Sequence, residues 1–357
     1  VIRSPILVLL FVFAFGGNLS VPAQTPAPPP QAPSAPTGRR DAQPPSQTRR
    51  VTVELVNIIA TVVNRREKLV TDLEKPEFHV FEDGQEQKIE FFSRETDLPL
   101  RVALLLDTSN SIRGRLAFEK DAAIDFISNT LRRKKDQAFL MIFDNEPAII
   151  KDYTDDVSKL GEAVERQRAG GGTALYDAIV QASNKLTEAP PSPDGSSVRR
   201  VIVVITDGDD NLSVRSRGDA VEAAERAGVV LYCISSSTEW VSAAEEKDAK
   251  KRVERKFAKT DADRVLDQFA SETGGRAFYP YSVDDLGQSF QDIGLELRSQ
   301  YSLAYAPANR AFDGRFRTIR VGVTRKGLIV RARKGYYAAR QEARSADPKP
   351  PGSAKPN

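Results

Sequence analysis

Val102-Ala103-Leu104-Leu105-Leu106-Asp107-Thr108-Ser109-Asn110-Ser111 is the stretch on which the fold turns. Its first half is a short apolar run, suited to a strand buried on both faces. Its second half is a tip crowded with oxygen-bearing side chains. A second run of the same kind, Val201 to Ile205, ends in Thr206-Asp207-Gly208. Between the two, Gly171-Gly172-Thr173 stands just ahead of a helical pattern. In open parallel sheets, ligands gather beyond the carboxyl ends of the strands. A hard cation such as Mg²⁺ takes carboxylate, hydroxyl and water oxygens at about 2.0–2.1 Å. The three tips supply that donor set.

Outward from these tips, residues 98–299 alternate strand and helix patterns. Strands are expected at Leu100–Leu106, Gln137–Phe143, Ala148–Tyr153, Val198–Ile205, Val229–Ser235 and Arg276–Tyr279. Helices are expected at Leu116–Leu131, Val157–Arg166, Leu175–Leu186, Ala220–Ala227, Ala262–Glu272 and Val283–Leu297. Apolar strands separated by helices predict an α/β fold, a doubly wound and mainly parallel sheet covered on both faces. The run Arg132-Arg133-Lys134-Lys135 reads as a solvated helix end that complements the helix dipole. A charged helical insertion is expected at 238–261, with Trp240, Val253 and Phe257 along a thin apolar edge.

β patterns flank this domain. Residues 51–97 read as a β module in which Asp83-Gly84 marks a hairpin turn. Residues 300–340 read as strands again, at Tyr301–Tyr305, Phe316–Val323 and Leu328–Arg333. The flanks either pair into one small β-sandwich carrying the α/β domain as an insertion, or stand apart.

The first 23 residues have the pattern of a secretory signal: Arg3, an apolar stretch from Pro5 to Phe15, and small residues up to Ala23. Export to the periplasm or beyond is expected, with an uncleaved membrane anchor as the alternative. Residues 24–50 are rich in Pro, Ala, Ser and Gln and read as a disordered tether, and residues 341–357 as a disordered tail. A net charge of +3 is too small to point to nucleic acid. A single cysteine, Cys233, rules out an internal disulfide, and a single histidine, His79, leaves little room for histidine-based catalysis.

The segments DTSNS (107–111), GGTALYDA (171–178) and ITDGDD (205–210) occur in the order and on the elements of one known family. The chain resembles the von Willebrand factor type A (vWA) domain with its metal-ion-dependent adhesion site, an Asp-x-Ser-x-Ser motif followed by a distant Thr and a distant Asp. The whole layout is similar to the vWA-related secreted proteins of Acidobacteria. The resemblance implies that Ser109, Ser111 and Thr173 offer hydroxyls to Mg²⁺ or Mn²⁺. Asp107 and Asp207 would supply negative charge, largely through bound water. The open coordination position would take an Asp or Glu carboxylate from a protein partner.

Other features have plainer readings beside functional ones. Asp177 and Asp209 are candidates to support the metal loops from behind, and Asp177 is equally an ordinary first-turn carboxylate. Asp209, Asp210 and Asn211 match only a fragment of a calcium loop and read as added negative potential. Arg217-Gly218-Asp219 reads as a helix start with Asp219 as its N-cap. Arg315, Arg317, Arg320, Arg325, Lys326, Arg331, Arg333 and Lys334 form either a face for an anionic surface or a solvated strand face. Three functions remain: a metal-dependent binding protein, an exported scaffold that needs no metal, and a metal-assisted hydrolase. Metal hydrolases need a general base within reach of an activated water. None is evident near the tips, so a non-enzymatic role is expected.

Overall fold

Strand β5 (Leu100–Asp107) is buried along its whole length, and its alternate residues serve two different cores. Leu100, Val102, Leu104 and Leu106 face one core, and Ala103 and Leu105 the other. That period of two is what a strand covered on both faces requires. Around it the computed structural model describes residues 55–95, 98–193, 195, 197–236, 259–280 and 282–340. The expected signal segment, tether, tail and most of the charged insertion lie outside the described residues. Among the described residues, no helix is long and apolar enough to cross a membrane.

β5 pairs in parallel with β6 (Gln137–Phe143) on one side and β8 (Arg199–Thr206) on the other. Beyond β6 lies β7 (Pro147–Thr154); beyond β8 lie β9 (Val230–Ser235) and β10 (Arg276–Phe278). The six-stranded order is therefore β10-β9-β8-β5-β6-β7. All neighbours are parallel except β7, an antiparallel edge strand with Ile149 and Ile150 exposed. The chain winds outward in both directions from β5, so the switch point lies between β5 and β8, where the connecting loops part and leave a crevice.

Helices α1 (Leu116–Thr130), α2 (Val157–Glu165) and α6 (Val283–Leu297) cover one face. Helices α3 (Leu175–Thr187), α4 (Arg217–Ala227) and α5 (Asp261–Thr273) cover the other. These are the elements the sequence predicts, with no end moved by more than three residues. At α4 the extra turn has a clear cause. Ser216 is the N-cap and accepts from Asp219 N, while the Asp219 carboxylate accepts from Ser216 N. Asp219 thus closes a capping box from inside the helix and is not the N-cap the sequence suggested. Arg217-Gly218-Asp219 forms a helical turn.

The two β flanks pair with each other. β1 (Val56–Asn64), β4 (Ile89–Glu95), β11 (Gln300–Tyr305) and β13 (Leu328–Ala332) form one four-stranded sheet, in the order β13-β1-β11-β4. β2 (Phe78–Glu82), β3 (Gln85–Gln87), β12 (Phe316–Val323) and β14 (Gly335–Tyr337) form the second, in the order β14-β12-β2-β3. Residues of both sheets, among them Ile58, Val80, Leu303 and Ile319, share one apolar core. The β2–β3 turn has Asp83 and Gly84 both at positive φ, the left-handed pair that a two-residue hairpin needs. The α/β domain leaves the sandwich after β4 and returns at β11, and these two strands are paired neighbours.

Several of the basic residues at 315–334 pair with the protein's own acids. Arg317 is 2% exposed and lies against Glu82, which also accepts from the Tyr305 and Tyr336 hydroxyls. Arg325 pairs with Asp72 and Glu77, Arg331 with Glu67 and the buried Glu296 of α6, and Lys334 with Glu272 of α5. The free basic face is smaller than the sequence suggests, because these pairs tie the sandwich together and to the α/β domain.

Asp136 fixes the opposite end of the sheet from the metal-motif tips. Fully buried, it accepts from Leu100 N, Arg132 N, the Arg132 guanidinium and Arg298 Nη2. Arg132 therefore folds inward and is not part of a solvated helix end. Burial alone would raise the Asp136 pKa, but hydrogen bonds from Arg132, Leu100 N and Arg298 outweigh it and hold the carboxyl below its usual range. Breaking a buried pair of this kind costs about 3–5 kcal/mol. Asp136→Asn should lose stability of that order in urea unfolding at neutral pH. The native pKa lies below the unfolded value of 3.8, so the contribution is complete above that value and disappears as pH falls through the native pKa. The gap between wild type and variant should narrow in acid.

Candidate metal centre

Asp107 is the last residue of β5 and is wholly buried. Its Oδ1 accepts from Ser109 N at 2.8 Å and its Oδ2 from the Thr206 hydroxyl at 2.6 Å. The first bond bends the chain back at the strand end, and the second ties it to the end of β8. Thr206 Oγ1 in turn accepts from Gly208 N at 3.1 Å, which shapes the loop carrying Asp207. Burial, partly offset by these bonds, and the neighbouring Asp207 charge raise the Asp107 carboxyl to about 6.

The bend places the two motif serines side by side, with Ser109 Oγ and Ser111 Oγ 2.9 Å apart. Ser109 is 2% exposed and Ser111 is open to solvent, so the hydroxyl pair runs from the interior to the surface. Asp207 is 8% exposed, and its Oδ1 accepts from Asp209 N at 3.3 Å.

The Gly-Gly-Thr loop joins both neighbours. Asn110 N donates to Gly171 O at 3.1 Å and Gly170 N to Thr108 O at 2.7 Å, which fastens it to the β5 tip. Gly171 has φ of +80°, and a Cβ there would stand 2.9 Å from Asn145 Oδ1, the atom that accepts from Gly172 N. Only glycine meets both conditions without strain. Thr173 N donates to Asn211 Oδ1, and Thr173 O accepts from Asn211 N and Leu212 N. The sheet end thus brings Asp107, Ser109, Ser111, Thr173 and Asp207 together on three cross-bonded loops.

The loop after Asp207 is built as firmly. Asp177 accepts from Val214 N and Arg215 N, both at 2.9 Å, and Asp177 N donates to Ser213 Oγ at 3.0 Å. Asp210 accepts from Tyr176 N and the Ser213 hydroxyl. Asp210 and Asn211 therefore brace the loop against α3, a scaffolding role that the reading as added negative potential missed. Asp209 is exposed, and burial of part of its surface, with Asp207 and Asp263 nearby, raises its pKa. Asn145, Thr206 and Glu119 were also missed. Glu119 is buried close enough to Asp107 and Asp207 to feel their charges. Its sequence signal was its place on the apolar stripe of α1, between Leu116 and Ala123. His79 lies in β2, where it bonds Glu86, and Cys233 is buried in β9.

Among the described residues, no group of three or more His, Cys, Asp or Glu is arranged to hold a metal. The donors at this tip are hydroxyls beside carboxylates, all oxygen. That set suits a hard divalent cation and not a thiolate- or imidazole-seeking one.

Residues 102–209 match the family model of the von Willebrand factor type A domain. No curated protein matches the sequence. The fold is similar to that of an aerotolerance-related membrane protein from Bacteroides fragilis NCTC 9343 with multiple mutations to serines. That match has 18% identity and a TM-score of 0.41, over 56% of this chain and 98% of that one. It is similar to von Willebrand factor type A from Catenulispora acidiphila, at 13% identity and a TM-score of 0.45, over 81% and 74% of the two chains. It is also similar to proximal thread matrix protein 1 from the mussel byssus with a zinc-occupied MIDAS motif. There the identity is 18% and the TM-score 0.42, over 60% of this chain and 49% of that one.

The Asp177 bracket gives a direct test of loop rigidity. Hydrogen bonds from backbone N–H groups to a charged acceptor contribute about 1.5–3 kcal/mol each. In Asp177→Ala, the Val214 and Arg215 amides should exchange with solvent at least about tenfold faster, since 1.4 kcal/mol is a factor of ten. Amides of β5 and β8 should keep their relative protection. Hydrogen exchange resolved by residue reads both.

Proposed function

We propose that this protein is an exported binding protein that captures a carboxylate-bearing protein partner through a Mg²⁺ or Mn²⁺ ion at the strand tips. The observation that carries the reading is the Ser109–Ser111 hydroxyl pair, set 2.9 Å apart beside a buried Asp107. Ser109, Ser111 and Thr173 would hold the ion through their hydroxyl oxygens. Asp107 and Asp207 would contribute charge, and Asp107 does so while both its oxygens bond within the protein. When bound, the cation supplies a Lewis-acidic position that an Asp or Glu carboxylate of the partner can fill.

The rest of the assembly supports binding. The loops around the tip are braced before any partner arrives, which lowers the ordering cost of association. Leu212 and Val214 stand exposed on the braced loop, Val214 at 93%, and offer apolar contact beside the ion. A non-enzymatic role is supported by the place of His79, in the sandwich on β2 and bonded to Glu86, where it is not at hand as a base. The leader pattern before Ala23 and the Pro-rich tether favour a site presented outside the cytoplasm.

The test is a thermal melt of the full chain after chelation, with Mn²⁺ or Mg²⁺ titrated back. Ser109→Ala is the better variant, since Asp107 also holds the backbone. A ligand that binds only the folded state adds about 2.7 kcal/mol at a hundredfold excess over Kd. Wild type should show that saturable rise and Ser109→Ala should lose most of it. No rise in either protein would favour the scaffold reading. Acidic peptides arrayed beside their Asn and Gln counterparts should bind only as carboxylates, and only with the metal present.

A further inference from the structure

Glu119 stands where an apolar residue belongs. It occupies the sheet-facing stripe of α1 and is 0% exposed. Among the described residues neither carboxylate oxygen has a hydrogen-bond partner, and two polar atoms near it, Arg115 Nη1 and Ser236 Oγ, are buried without one as well. Arg115 and Ser236 lie close enough to favour its ionised form, yet outside hydrogen-bond geometry. Asp107, and more weakly Asp207, oppose it.

An isolated buried carboxylate is costly unless a proton or a cation compensates it. The neighbouring buried positions of α1, Leu116, Ala122, Ala123 and Phe126, are apolar, so the packing of the stripe does not itself call for a glutamate. Its surroundings run straight to the metal-motif tip. Ser236 N donates to Thr206 O at 2.8 Å, and the Thr206 hydroxyl donates to Asp107 Oδ2. Burial first, and then the Asp107 charge, push its carboxyl up to about 8. The same field that disfavours a third negative charge there is what a divalent ion at the tip would relieve.

We propose that Glu119 is a third carboxylate of the cation site, acting through its charge from beneath Asp107 and Asp207 to set how tightly the ion is held. The inference rests on the metal reading above and adds to it a residue outside the Asp-x-Ser-x-Ser, Thr and Asp motif. Glu119 is a positioning residue and coordinates nothing itself.

Mn²⁺ titration calorimetry on the full chain, beside thermal melts of the metal-free protein, tests it. Groups that support a metal site from behind its ligands typically change affinity by roughly 10–100-fold. Glu119→Gln should weaken Mn²⁺ binding by about tenfold or more, while its metal-free melting temperature stays level or rises. A purely structural glutamate would lower both. Glu225→Gln neutralises another buried acid, on α4, and should leave Mn²⁺ affinity unchanged. Wild-type affinity in Glu119→Gln overturns the inference, as does a loss of affinity matched by a loss of metal-free stability or by an equal loss in Glu225→Gln. If Glu119→Gln does not fold, Glu119→Met takes its place with the same expectations. A chain unfolded by both replacements marks Glu119 as structural and also overturns it. Absence of Mn²⁺ binding by wild type would instead sink the metal reading itself, and this inference with it.

Discussion

Both carboxylate oxygens of Asp107 are bonded inside the protein, and the tip of the sheet depends on that. One oxygen turns the chain through Ser109 N, and the other ties β5 to β8 through the Thr206 hydroxyl. The two strands it joins are those between which the winding reverses. A sheet that winds outward in both directions leaves a crevice there. Asp107 closes the floor of that crevice and aims the two serine hydroxyls along it. The loops of Thr173 and Asp207 are then fastened by Asn110, Asn145, Asn211 and Asp177, each through backbone groups. The result is a rigid oxygen-lined tip with carboxylates buried behind hydroxyls. Such an arrangement holds negative charge at a cost, and a cation at the tip would offset it.

The remainder of the molecule keeps that tip in place from the other end. Asp136 gathers Leu100, Arg132 and Arg298 where β5 begins and α6 finishes. Glu296, on the last turn of α6, accepts from the Tyr232 hydroxyl and pairs with Arg331 of the sandwich. The β-sandwich is thus joined to the α/β domain by buried charged and polar contacts as well as by chain connections. Because β4 and β11 are neighbours, the inserted domain begins and ends at adjacent points. Insertion there leaves the sandwich's pairing unbroken.

The fold was largely legible in the sequence because buried parallel strands advertise themselves as apolar runs, and β5 and β8 are such runs. The start of α4 was not, since Ser216 and Asp219 each suit an N-cap and only the geometry tells which one closes the box. The direction of β7 was not legible either; an edge strand with half its residues exposed has no pattern that fixes its sense. At the site, the motif residues stood out by type and order. Asn145, Asp210 and Asn211 did not, because they act by bonding backbone groups far away in sequence. Glu119 was hidden differently. In Phe118-Glu119-Lys120-Asp121 it looks like part of a solvated helix face, and only its phase relative to Leu116 and Ala123 gives it away.

We propose that Ser109, Ser111 and Thr173, beside Asp107 and Asp207, hold a divalent cation. Anomalous diffraction from crystals grown with Mn²⁺ tests it most directly. A strong anomalous peak is expected among the three hydroxyls at the carboxyl ends of β5 and β8. Peaks found only at exposed surface carboxylates, with none at that tip, would contradict it.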